Sequence, residues 1–289
     1  MAAAMTTRPD ADIELGLLLD AIFEKYHYDF RGYAEASLKR RVMSALPRFG
    51  CETISRLQER VLHEPNVFAA LLGFMTVQVT DLFRDPSYFR AIREKVVPYL
   101  RTYPSLKLWV AGCATGEEAY SLAILLAEEG LLERTLIYAT DIHPDSLRIA
   151  QDGVYPLDRF ARFSENYLLA GGRGSLSYYY TARYASAVLD RALKAAILFS
   201  DHSLATDSAF AEVALVSCRN VLIYFERELQ ERAIGVLRDS LCRRGFLGLG
   251  TKETLRFSAH AGAFSDFVPE ERIYQRTWEA TWRTRSKQS

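Results

Sequence analysis

Apolar residues in the first quarter of the chain recur with a helical period. Leu15, Leu18, Leu19, Ile22 and Phe23 fall three or four positions apart, which places them on one face of a helix. The same spacing predicts helices over residues 36–46 (Leu38, Val42 and Leu46 on one face), 54–62 and 66–75, the last started near Pro65. No strand pattern interrupts residues 13–75, so this stretch predicts a small N-terminal all-α domain. From residue 106 the texture changes. Short apolar runs at 106–111, 135–140, 196–199, 213–217 and 246–249 alternate with helical stretches at 118–129, 145–151 and 227–243. Alternation of this kind predicts an α/β domain over residues 76–289, with a mostly parallel sheet and helices on both faces.

Residues 163–195 break the alternation. Gly171-Gly172-Arg173-Gly174 is a turn cluster, and the tyrosine-rich segment 175–184 reads as strand. The expected element is a small antiparallel β-insert. Its tyrosines fit ordinary packing or an exposed edge strand that pairs with a partner peptide.

Composition narrows the function classes. Lys and Arg together number 36, as do Asp and Glu, and this zero net charge gives no whole-chain signal for nucleic acid. Cys51, Cys113, Cys218 and Cys242 are too scattered for a metal-ligand motif and read as reduced thiols of a cytoplasmic protein, with no metal expected. No apolar run approaches the roughly 20 residues that cross a bilayer, so no membrane insertion is expected. Residues 1–12 form a polar, alanine-rich tail without signal-peptide layout and are expected to be disordered.

Candidate chemistry clusters after the predicted strands. Residues 106–111 run into Gly112-Cys113-Ala114-Thr115-Gly116, followed by Glu117 and Glu118. Strand, glycine turn and helix open a Rossmann-like nucleotide-binding unit, but the spacing differs from the G-x-G-x-x-G that wraps a pyrophosphate. Two carboxylates directly after the turn would repel phosphate and suit hydroxyl or ammonium groups. That selects a nucleoside carrying positive charge, a description S-adenosylmethionine (SAM) fits. Asp141, 25 residues after Gly116, ends the next strand and is read as a ribose ligand rather than a helix cap, because Asp145 offers a cap of its own. Arg219, Asn220 and Tyr224 follow another apolar run. Arg84 lies between Asp81 and Asp85, where it fits a surface ion pair or a bidentate carboxylate ligand. Tyr224 fits a packed aromatic or a ligand group. Lys39, Arg40 and Arg41 fit a solvated helix face, the commoner fate, or a docking surface for an acidic helical partner.

These segments together resemble the CheR family of chemoreceptor glutamate methyltransferases. The order is a helical domain, T-x-x-F-R at 80–84, G-C-x-T-G-E-E-x-Y-S at 112–121, A-T-D-I at 139–142, a β-insert, C-R-N-V-x-I-Y-F at 218–225, and G-x-x-E at 250–253. The resemblance covers nearly the whole chain after the tail. It implies methyl transfer from SAM to receptor glutamate carboxylates, giving methyl esters and S-adenosylhomocysteine (SAH), in the cytoplasm and by a monomer. It implies a cofactor site from Gln78, Thr80, Arg84, Gly112, Glu118, Asp141, Ser203, Leu204, Arg219 and Asn220. Arg84 and Tyr224 would act at the transferred methyl, and Lys39, Arg40 and Arg41 would dock the helical domain of the receptor. Three positions depart from the family pattern: Gln78 and Ser203 stand where asparagines are usual, and Lys252 where a serine is usual. A non-catalytic module that binds SAM or SAH is the alternative reading, and a small-molecule methyltransferase a third.

Overall fold

The structure, a computed structural model, describes residues 9–277. The expected disordered tail lies mostly outside the described residues, and its last three positions, Asp10, Ala11 and Asp12, already belong to a helix. The chain divides into two compact units. One comprises the chain through Gln78 together with Tyr224–Gln230; the other comprises Val79–Ile223 and the chain from Glu231 onward.

The first unit is helical: α1 (Asp10–Tyr26), α2 (Glu35–Ala45), α3 (Ile54–His63) and α4 (Pro65–Met75). Each buries the face its periodicity predicts. Leu15, Leu18, Leu19 and Ile22 are buried on α1, Leu38 and Val42 on α2, Leu57 and Val61 on α3, and Leu71, Leu72 and Met75 on α4. A fully buried side chain of this kind contributes about 1.5–3 kcal/mol, so four such faces supply the core. The Thr53 hydroxyl caps α3, accepting from the Arg56 amide at 3.2 Å, and Pro65 opens α4. The segment Tyr224–Gln230 joins this unit through Tyr33 and Phe225, whose ring centroids lie 4.8 Å apart, and through the Glu226 amide, which donates to the Gly32 carbonyl.

The second unit is built on strands β1 (Leu106–Ala111), β2 (Thr135–Asp141), β3 (Val154–Pro156), β4 (Tyr180–Arg183), β5 (Ser186–Leu189), β6 (Ile197–Asp201), β7 (Val213–Cys218), β8 (Leu241–Leu249), β9 (Phe264–Val268) and β10 (Ile273–Arg276). Its helices are α5 (Pro86–Ala91), α6 (Val97–Leu100), α7 (Glu117–Glu128), α8 (Pro144–Asp152), α9 (Phe160–Leu169), α10 (Arg191–Ala195) and α11 (Arg227–Ser240), whose first turn belongs with the first unit. Seven strands form one sheet in the order β6-β2-β1-β7-β8-β10-β9. All neighbours from β6 to β8 pair in parallel, and β10 runs antiparallel to both β8 and β9. The α/β expectation therefore holds, with an antiparallel edge that the sequence pattern did not signal. Strands β9 and β10 are short and half-polar, as strands of an antiparallel region with one solvated face are.

The insert differs in detail from its expected form. Its sheet is antiparallel, in the order β3-β5-β4, and recruits Val154–Pro156 from before residue 163. The first residues of the expected β-segment form α9, which buries Phe160, Phe163 and Tyr167 at helical spacing. Among the described residues, no helix is long and apolar enough to cross a membrane, and no cluster of His, Cys, Asp or Glu is suited to a metal ion.

Candidate active site

Strand β1 is flanked by β2 on one side and β7 on the other, so the chain reverses its winding direction at β1. In open parallel sheets the crevice at such a switch point, beyond the carboxyl ends of the strands, receives ligands. Two loops frame it: residues 112–116 after β1, and residues 219–223 after β7. Gly112 and Gly116 have φ of +74° and +94°, where side chains are strained. A Cβ at Gly116 would also lie 2.8 Å from the Ala150 Cβ, and one at Gly112 would run into Val221. The two loops are thus packed against each other, with glycine required on one side.

Asp141, at the end of β2, is buried and pinned from both sides. Its Oδ2 accepts from the Ala114 amide at 2.8 Å and its Oδ1 from the His143 amide at 3.0 Å. Burial pushes its carboxyl above the ordinary range, against the pull of those amides. Each oxygen keeps lone-pair capacity for a further donor such as a ribose hydroxyl. The cap of α8 is His143, whose Nδ1 accepts from the Ser146 amide at 3.1 Å. The expectation that Asp145 is the cap is corrected: Asp145 is exposed and pairs with Arg148.

The adjacent glutamates have different partners. Glu117 is fully buried (0% exposed) and accepts from the Thr115 hydroxyl at 2.6 Å and from Arg159 Nη1 at 2.8 Å. Burial raises its carboxyl, with Thr115 and Arg159 opposing the rise. Arg159 also binds Asp81 and the Thr80 carbonyl, tying the segment before Arg84 to the glycine turn. Glu118 faces β7: its Oε1 accepts from the Ser217 hydroxyl at 2.6 Å and its Oε2 from Arg219 Nη1 at 3.0 Å.

Arg219 is the hub of this part of the site. Its side chain is 1% exposed, stacks over the Tyr88 ring at 4.2 Å, and sends Nη2 to Asp85 Oδ2 at 2.6 Å and to the Arg84 carbonyl at 3.1 Å. Phe83 and Asp85, on either side of Arg84, both have positive φ (53° and 55°), an uncommon backbone held by the Ser121 hydroxyl, which accepts from the Phe83 amide at 2.8 Å, and by the Arg219 contacts to Arg84 and Asp85. The Arg84 side chain is partly exposed and donates from Nη1 to the Val79 carbonyl.

Asn220 turns the chain at φ +60° after β7, and its amide donates to Glu253. Leu204 is buried, and the Ser203 hydroxyl accepts from the Ala205 amide in its own turn. Residue pattern alone did not find Asp85, Tyr88, Arg159 and Ser217, because burial and distant pairing leave no local signal. Glu253 carried one: its place three residues after a glycine at a strand end.

Gln78 and Tyr224 belong to the first unit. The Gln78 amide donates to the Thr76 hydroxyl at 2.9 Å. The Arg41 guanidinium lies 4.9 Å over the Tyr224 ring and donates to the Met75 carbonyl at 2.7 Å. Lys39 pairs with Asp12 at 2.5 Å, and Arg40 is exposed. Successive helix positions point about 100° apart, so the three do not form one basic face.

A switch-point crevice with Asp141 and Glu118 as acceptors, and with no phosphate-wrapping glycine loop, fits a nucleoside-binding α/β domain. The chain belongs to the CheR methyltransferase family: residues 13–76 match its all-alpha domain and residues 78–267 its SAM-binding domain. It is a SAM-dependent methyltransferase. The protein Cher3 of Pseudomonas putida is 55% identical over 273 residues, covering 94% of this chain and 100% of that protein. A chemotaxis protein methyltransferase of Listeria innocua is 29% identical over 238 residues, 81% of this chain and 87% of that one. Among solved structures, the magnesium protoporphyrin IX methyltransferase of Synechocystis with bound SAH matches at 21% identity and a TM-score of 0.32, over 66% of this chain and 69% of its own.

Proposed function

We propose that the protein methylates glutamate side chains in the cytoplasmic helical domain of a chemoreceptor, giving methyl esters for sensory adaptation and leaving SAH. The observation that carries the cofactor half of this reading is the acceptor set at the switch point; the receptor substrate is argued from membership of the family, which includes chemotaxis protein methyltransferases. Asp141 is held open by two amides, and Glu118 by Ser217 and Arg219. Such a set fits a nucleoside with ribose hydroxyls and an ammonium group and disfavours phosphate. Asp141 would take the ribose and Glu118 the ammonium, while Thr80, Ser203, Leu204 and Asn220 would line the remainder.

SAM supplies an electrophilic methyl carbon. The attacking carboxylate is ionised at neutral pH, with a reference pKa of about 4.3, so no strong base is needed. When bound, SAM would supply this methyl to one carboxylate oxygen and leave as the neutral thioether SAH, so that two opposite charges cancel. The residues have to align oxygen, carbon and sulfur and exclude water. Arg84 orients the substrate carboxylate; the family resemblance gives Tyr224 a supporting role in the transfer. Arg40 contributes to docking.

The test is transfer of labelled methyl from SAM to receptor cytoplasmic fragments. Alkali-labile label on the receptor, lost in Arg84→Ala, is expected. SAH binding in calorimetry with no transfer to any receptor overturns the enzymatic reading and leaves a binding module. No SAH binding at high micromolar ligand overturns every SAM-based reading.

A further inference from the structure

We infer that Glu253 is a positioning residue that fixes the shape of the loop over residues 219–223 and so sets the affinity of the cofactor site. The loop-shaping part stands on geometry alone, and the effect on affinity rests on the reading just given.

Glu253 is 4% exposed, and both of its carboxylate oxygens are taken by backbone amides. Oε2 accepts from Gly250 at 2.6 Å and from Asn220 at 3.0 Å; Oε1 accepts from Val221 at 2.9 Å and from Ile223 at 3.3 Å. Amides that converge in this way form an anion-binding nest, and hydrogen bonds to an ionised acceptor are about twice as strong as neutral ones. Here the acceptor is the protein's own carboxyl, which burial pushes above the ordinary range against the pull of the four amides. It holds a loop whose first turn, at Asn220, is left-handed in a residue other than glycine. With four donors on two oxygens inside the fold, Glu253 is not a group that touches substrate.

The clamp also reaches the other loop. Val221, held through its amide, fills the space where a Cβ on Gly112 would stand. Glu253 can span to the loop because residue 250 is a glycine: a Cβ there would lie 2.8 Å from both the Asn220 amide nitrogen and Glu253 Oε2. The spacing Gly250-x-x-Glu253 therefore has a mechanical reason, and Lys252 at the intervening position is outside the clamp.

Two variants test this. Glu253→Gln puts a donor where two amides point, and Gly250→Ala wedges the same contact while keeping the charge. Each is read by SAH calorimetry, by site-resolved hydrogen exchange, and by KM for SAM against KM for receptor. The expected result is an SAH Kd raised about tenfold or more in both. Exchange should speed up at Asn220, Val221 and Ile223 while β1 and β2 stay protected. KM for SAM should rise with receptor KM unchanged, a split that general destabilisation would not give. An SAH Kd within about twofold of wild type in either folded variant overturns the effect on affinity. If Glu253→Gln does not fold, Gly250→Ala decides alone. If the wild type itself binds no SAH, the functional reading falls, and exchange still decides the clamp: unchanged exchange at 220–223 overturns it.

Discussion

Arg219 Nη1 stands 3.0 Å from Glu118 Oε2, so two side chains that the family pattern assigns to the cofactor also neutralise each other. The same guanidinium reaches Asp85 and the Arg84 carbonyl. Arg219 thus acts on the site through its neighbours, holding the acidic face of α7 and the strained Arg84 segment together.

Arg219→Ala is expected to cost about 2–4 kcal/mol, a buried-pair loss discounted for the part exposure of Asp85, because removing the shared guanidinium strands Glu118. Urea denaturation measures it. Pairing the change with Glu118→Gln should recover part of the loss, since the double variant no longer buries an uncompensated carboxylate at residue 118. A strictly additive double variant would show that the pair is not coupled.

Glu117 and Glu118 should separate stability from binding. Glu117 is sealed against Thr115 and Arg159. Glu117→Ala is expected to lose about 2–3 kcal/mol, a buried-pair loss discounted for the partial exposure of Arg159, with SAH affinity changed less than about threefold where the fold persists. Glu118→Gln keeps the shape and the Ser217 contact but removes the charge. Its expected effect is an SAH Kd raised about tenfold with a smaller shift in melting temperature. The reverse ranking in calorimetry and thermal melts would exchange their roles.

The sequence carried the parallel sheet and the helical domain because both are written in local periodicity. The burial of Leu15, Leu18, Leu19 and Ile22 on α1, and the run of Leu106 to Ala111, follow directly from residue pattern. The glycine turn was legible for the same reason: Gly112 and Gly116 are small residues at a strand end. Long-range partners are not local, so the pairing of Glu117 with Arg159 and of Arg219 with Asp85 had no signature. Nor did β9 and β10, which are too short and half-polar to form an apolar run. His143 displaced Asp145 as the α8 cap because an imidazole nitrogen accepts the Ser146 amide, a role that composition rules give to Ser, Thr, Asp and Asn.

The Asp141 carboxyl should make cofactor binding and stability respond to pH in opposite directions. Burial raises its pKa in the fold above the ordinary value of 3.8. Its contribution to stability is therefore fully present below that ordinary value and is lost as pH rises through the raised one. Ribose binding needs the ionised acceptor, so SAH affinity should instead fall as pH drops through the same window. Calorimetry and denaturation of wild type and Asp141→Asn between about pH 4.5 and 8 test both arms. The variant should lose the wild type's excess pH slope in each. Equal slopes in the two proteins would remove Asp141 from the site.

The three basic residues of α2 should divide by function. Arg40 is exposed, whereas Arg41 is half-buried over the Tyr224 ring, where burial lowers its pKa, and Lys39 is paired with Asp12. Arg40→Glu is expected to raise KM for an acidic receptor helix several-fold, with a steeper loss at low salt, where screening is weak. It should leave kcat and SAH affinity unchanged. Arg41→Ala removes a cation–π contact worth roughly 0.5–2 kcal/mol and the donor to Met75, so the Tyr224 ring loses its support. Its expected effect is a lower kcat with little change in salt dependence. Arg41→Lys should restore it only partly, because an ammonium does not stack and donate in the same plane as a guanidinium. If Arg41→Ala instead gives the salt-sensitive KM increase expected of Arg40→Glu, the inward role is wrong and α2 presents both arginines to the partner.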